Sequence, residues 1–221
     1  MSSDRSRVIY LHGFASGPQS RKATVLGDRL RSAGFDVDVP SLDEGDFSHL
    51  TISRQLRFLE SLVAGNPVTL IGSSLGAYLA ALFAARHKHK EVTRLILLAP
   101  AFDFFRLWQS ELGPEGVSDW RQTGVIRVFH YGVGRELPLH FDFLQDAGQF
   151  ESFPAFTQPA LIFHGDRDPV VPIDLSRRFV ANHSNARLIT LSSGHELTDV
   201  LDPIWQHSKD FLEMTPWQNR C

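Results

Sequence analysis

The sequence predicts an α/β fold, a mostly parallel sheet of about six strands flanked by helices. Two observations carry this reading. Short apolar, β-branched runs alternate with segments of helical period, as in successive βαβ units. Four of the six runs are also nearly continuously apolar, as expected of strands buried on both faces. Hydrophobic residues make up 43% of the 221 positions and charged residues 21%, enough for one sizeable core and a single domain spanning 1–221.

In chain order, "VIYLHG" (8–13) is the first strand, followed by a helical pattern over about 20–32. "FDVDVP" (35–40) alternates polar and apolar residues, which suits a strand near the sheet edge. A helical stretch over about 50–64 leads to "VTLIG" (68–72), and a small-residue helix over about 74–88 leads to "RLILLAP" (94–100). Later come "ALIFHG" (160–165), a helix near 173–182, "ARLITL" (186–191) and a last helix over about 197–213. Asp174 and Thr198 stand where near-terminal helix caps belong.

Between 101 and 158 the alternation falters. This stretch holds about half of the chain's aromatic residues, among them Phe104, Trp108, Trp120, Phe129, Tyr131 and Phe143. It reads as an excursion from the sheet with a short extra strand ("VIRVFHY") and a helix near 142–149. Its rings serve as packing, as an apolar substrate pocket over the site, or as both.

The formal charge of −3 gives no footprint for nucleic acid or an anionic membrane. No apolar run approaches the roughly 18–20 residues that span a bilayer. The polar "MSSDRSR" leads straight into a strand pattern, unlike a signal peptide. Cys221 is the one cysteine, which excludes an intrachain disulfide framework and a Cys-rich zinc site. A cytoplasmic protein with no metal or organic cofactor, acting on a small molecule, is the expectation. The oligomeric state is not legible.

Gly72-Ser73-Ser74-Leu75-Gly76 fits G-x-S-x-G between a strand and a helix, the context that motif requires. Such a turn forces its central residue into a strained backbone, so the neighbours two positions away must be small. Ser74 is central and would stand at the positive end of the following helix dipole. Ser73 only has to fit. Neither G-x-G-x-x-G nor G-x-x-x-x-G-K-[ST] is present, so a nucleotide loop is the weaker reading.

A serine needs a base to take its proton, and the base needs an orienting acid. In the strand–elbow arrangement these follow in the order Ser, Asp, His, each after a later strand. "DRDPVVP" after 160–165 offers Asp166 and Asp168, and "SSGHEL" after 186–191 offers His195.

With these residues in place the sequence resembles the α/β-hydrolase superfamily. "HGDRDPVVP" matches its H-G-x-x-D-x-x-V-P segment, whose aspartate falls on Asp168. "SGHE" is similar to the loop bearing its histidine, here His195. "YLHGFASGPQSRK" looks like the H-G-F-x-S segment of the small bacterial YqiA-like esterases. The resemblance spans nearly the whole chain. It implies a serine esterase or thioesterase with an acyl-Ser74 intermediate. Its oxyanion hole would take one backbone N–H from Leu75 and a second from Phe14, with Ala15 as the fallback. Only seven residues precede the first strand, leaving no room for the two leading antiparallel strands of larger members.

Other readings are blander. Asp166 serves as a turn cap, and Asp103, after 94–100, is the competing acid. "RHKHK" (86–90) reads as a solvated helix end rather than a metal site. His12 and His164 each precede a glycine at a strand end and bond locally, His130 and His140 carry no role, and Glu196 is structural. A non-catalytic binder on this fold, or a serine peptidase or amidase, remains the alternative function.

Overall fold

The computed structural model describes residues 6–86 and 91–213. Most of "RHKHK", and Cys221, lie outside the described residues. Six strands form one parallel sheet in the order β2-β1-β3-β4-β7-β8. They are β1 (Arg7–Leu11), β2 (Asp36–Asp38), β3 (Val68–Ser73), β4 (Val92–Leu98), β7 (Ala160–Gly165) and β8 (Ala186–Leu191). β2, the alternating run, is a three-residue edge strand as its pattern predicts.

Helices α1 (Arg21–Ser32), α2 (Ile52–Val63), α3 (Leu75–Arg86) and α6 (Ile173–Ala181) connect sheet strands, and α7 (Leu201–Glu213) follows β8. The strands sort their side chains by the two-residue period. Val8, Tyr10, Ile71, Ile96, Leu98, Leu161 and Phe163 pack with α1 and α7 on one face. Ile9, Leu11, Leu70, Leu95, Leu97 and Ile162 pack with α2, α3 and α6 on the other. α3 is buried on every side from Leu75 to Ala84, which explains its small, apolar composition.

Residues 101–158 leave the sheet between β4 and β7. They form α4 (Phe104–Thr123), an antiparallel hairpin of β5 (Val125–His130) and β6 (Arg135–His140), and α5 (Asp142–Ala147). The expected extra strand and helix are present. α4 and β6 were not legible in the sequence. At Gly113 (φ 66°, ψ 171°), just before Pro114, α4 breaks its helical geometry. β6 carries Pro138 opposite Arg127, which a two-stranded ribbon accommodates because the proline's missing N–H can face solvent.

Two cap readings need correction. Leu197 takes a left-handed φ of 53°, so the last helix starts at Leu201 and Thr198 sits in the loop before it. α6 is capped by the Pro172 backbone. Asp174 therefore lies in the first turn and pairs with Arg177 at 2.8 Å.

Candidate active site

The G-x-S-x-G segment makes the strand-to-helix turn its spacing requires. β3 ends at Ser73 and α3 starts at Leu75, leaving Ser74 alone between them with φ 54°. A non-glycine residue held in that region carries strain of order 1–3 kcal/mol. Its N–H donates to the Leu98 carbonyl (2.8 Å), and its carbonyl accepts from Ala77 and Tyr78 (both 3.1 Å). A Cβ on Gly72 would collide with the Gly76 carbonyl and the Ala77 backbone. One on Gly76 would strike the Leu11 and His12 carbonyl oxygens. Ser73 is buried at the strand end.

Two loops at the carboxyl ends of β7 and β8 meet at Ser74. The Ser74 hydroxyl donates to His195 Nε2 at 3.1 Å, and His195 Nδ1–H donates to Asp168 Oδ2 at 2.7 Å. The Asp168 carboxylate is fully buried and the imidazole 13% exposed. The loops approach this closely because residue 165 is glycine. A Cβ there would strike the Ser193 and Gly194 carbonyls.

Asp168 has further donors. Its Oδ1 accepts from the Val170 and Val171 amides (2.8 and 2.9 Å). Its Oδ2 also faces His164 Nε2 at 3.2 Å. Burial pushes the Asp168 pKa upward, but hydrogen bonds from His164, His195 and Val171 outweigh it and hold the carboxyl well below the usual range. His164 is itself fully buried. Its Nε2–H reaches both the Val171 carbonyl (2.9 Å) and Asp168, and its Nδ1 pairs with Ser176 Oγ (2.8 Å). His164 does bond locally, as its position suggests, and one of its partners is the carboxylate that orients His195.

The competing acids are engaged elsewhere. Asp103 accepts from Ser152 Oγ at 2.6 Å, and Asp166 is exposed, 3.6 Å from Arg167 Nε.

Sequence reasoning missed Lys22. It is buried on α1, and its Nζ donates to the Glu196 carbonyl at 2.7 Å, bracing the residue next to His195. Burial lowers its pKa, with the Glu196 carboxylate acting in opposition. The available signal was its place one turn before Leu26 on the apolar stripe of α1. The Glu196 carboxylate lies 3.6 Å from Lys22 Nζ.

His12 bonds locally through Gly13 and Leu42. His130 is buried against the Phe47 ring with Asp43 at 3.7 Å. His140 stacks on His49.

Phe14 lies on the loop after β1, stacked on Phe143 and edge-on to Trp108. Next to it Ala15 has φ 49°, and its carbonyl accepts from Tyr131 N–H at 2.7 Å. The β5–β6 turn thus clasps this loop, with Gly132 close against Ser16 and Gly17. A cleft of about 560 Å³ opens beside Ser74, lined mainly by Phe14, Ala101, α4, β5 and 169–171. Among the described residues no cluster of three or more His, Cys, Asp or Glu side chains is arranged to hold a metal ion, and no helix is long and apolar enough to cross a membrane.

A family model described as "Uncharacterised protein family (UPF0227)" matches residues 7–213. The chain belongs to that family. It is also 36% identical over 103 residues to the biotin biosynthesis bifunctional protein BioHC of Teredinibacter turnerae, covering 43% of this chain and 17% of that protein. The chain thus spans less than a fifth of the length of that curated relative.

Alpha/beta hydrolase domain-containing protein 10 from mouse superposes with a TM-score of 0.80 at 19% identity, over 96% of this chain and 92% of the other. Est1E from Butyrivibrio proteoclasticus, with ferulic acid bound, gives 0.80 at 20%, over 94% and 88%. At these identities the likeness establishes the fold. This member of UPF0227 has the α/β-hydrolase fold, as its motifs imply.

Proposed function

We propose that the chain is a serine hydrolase that cleaves a carboxylic ester or thioester with an apolar acyl group through an acyl-Ser74 intermediate. One observation carries the reading. The continuous Ser74–His195–Asp168 hydrogen-bond chain opens onto a largely apolar cleft.

Asp168 fixes His195 with the proton on Nδ1, so that Nε2 is free to take the Ser74 proton as Oγ attacks the acyl carbon. The same proton then passes to the leaving alkoxide or thiolate. Water repeats the sequence to release the acid. The developing oxyanion needs two N–H donors. Leu75 at the α3 N-terminus and Phe14 at the edge of the cleft are the assigned pair, and among the described residues neither amide donates to a protein acceptor.

The test is labelling of folded protein with a fluorophosphonate, followed by peptide mass spectrometry. Modification at Ser74 is expected, and an unlabelled Ser74 would mark a non-catalytic binder. A parallel panel of nitrophenyl esters, acyl thioesters and aminoacyl anilides is expected to favour the first two. Faster anilide turnover would make the chain an amidase or peptidase.

A further inference from the structure

One wall of the cleft is a single helical stripe. Phe104, Leu107, Trp108, Glu111 and Leu112 line it, spaced as one face of α4. The stripe starts beside the nucleophile, because Ala101, another lining residue, donates its N–H to the Ser74 carbonyl at 3.2 Å. Gly113 then ends the regular helix.

The near part of the stripe is apolar and fixed. Trp108 is packed by Phe14, Phe104, Trp120 and Phe143 at centroid distances of 5.1–6.2 Å, so its ring cannot swing aside to lengthen the cleft. The facing walls, Ile126, Val128 and Pro169 to Val171, are apolar too. The charged members of the lining are Arg127 and Glu111. Arg127 lies 3.5 Å from Glu136. Glu111 has no ion-pair partner among the described residues.

We infer that Glu111 is the end stop of the acyl site and that the substrates are esters of medium-length acyl groups. This rests on the Ser74 reading proposed above. At 1.5 Å per residue, Glu111 stands about 10 Å along α4 from Phe104, which an extended chain covers in about eight carbons at roughly 1.3 Å each. Up to that point each methylene leaves water for an apolar wall, worth on the order of fourfold in kcat/KM. Past it, the next methylene meets a solvated carboxylate and gains nothing.

The experiment is a series of straight-chain p-nitrophenyl esters from acetate to palmitate, with wild type, Glu111→Gln and Glu111→Leu. Glu111 is exposed, and thermal melts verify that both variants fold. In wild type kcat/KM should climb about fourfold per methylene and level off near eight carbons. Glu111→Leu should move the break outward by about two to four carbons, and Glu111→Gln by less. A break that stays in place in Glu111→Leu, or a wild-type profile with no break, overturns the inference while leaving the hydrolase reading intact. Failure of every ester, with Ser74 unlabelled, overturns both.

Discussion

Replacing Asp168 by Asn tests the arrangement most directly, because the structure dictates how the amide must sit. Two backbone N–H groups, of Val170 and Val171, converge on Oδ1, so the amide oxygen has to occupy that position. The NH2 group then takes the place of Oδ2, facing His195 Nδ1 and His164 Nε2. It donates to His195 Nδ1 and forces the proton onto Nε2, where the imidazole can no longer accept from Ser74. Loss of the correct tautomer lowers turnover by about four orders of magnitude, or about 5.5 kcal/mol of transition-state stabilisation. On the other side the new NH2 opposes the His164 N–H, two donors with no acceptor between them. If His164 instead moves its proton to Nδ1, the Val171 carbonyl loses its donor. Either outcome costs about 1–3 kcal/mol of stability. The assays are kcat/KM on p-nitrophenyl butyrate and urea denaturation. An Asp168→Asn enzyme within tenfold of wild type, beside an inactive Asp103→Asn, would refute the reasoning and move the acid to the end of β4.

Three further outcomes are expected. Because the folded Asp168 carboxyl is held below its unfolded value, it stabilises the fold fully above about pH 4 and less as pH falls from there; the stability gap between wild type and Asp168→Asn in urea melts should therefore stay constant above about pH 5 and narrow progressively below about pH 4. Lys22→Met removes the ammonium that holds the Glu196 carbonyl and should cost kcat about tenfold with little change in KM, with Lys22→Arg partly restoring it; unchanged kcat would show that the His195 loop holds itself. Gly76→Ala sets a methyl against the Leu11 and His12 carbonyls and should lower stability by at least about 2 kcal/mol, read as a drop in melting temperature.

The parts of the site legible in the sequence are those that local sterics and chain order govern. The turn at Ser74 admits only small neighbours, so Gly72 and Gly76 reveal it. Asp168 and His195 follow strands whose apolar runs are unmistakable. Chain order alone left Asp103 and Asp166 beside Asp168, since each aspartate follows a strand, and the H-G-x-x-D-x-x-V-P resemblance singled out Asp168. The support from Lys22 and His164 was hidden for a different reason: it comes from contacts across 174 residues in one case, and from a histidine with an ordinary local explanation in the other. The excursion was least legible. Gly113 and Pro114 interrupt the period of α4, and Pro138 with flanking charges disguises β6. The start of the last helix at 201, rather than 197, was set by the left-handed backbone at Leu197, which side-chain pattern does not encode.

The clasp between Tyr131 and Ala15 makes 101–158 and the loop after β1 one heritable unit. A graft of that segment from a relative would arrive with a turn shaped for a different partner, so chimeras should exchange residues 13–17 along with it. A lineage that remodels the excursion to admit a new acyl group must also keep, or remake together, the stretch that holds Phe14 beside Ser74. On the function proposed above, substrate range and catalytic competence would then drift as a linked pair, and paired changes at positions 15–17 and 130–132 are where that linkage would be recorded.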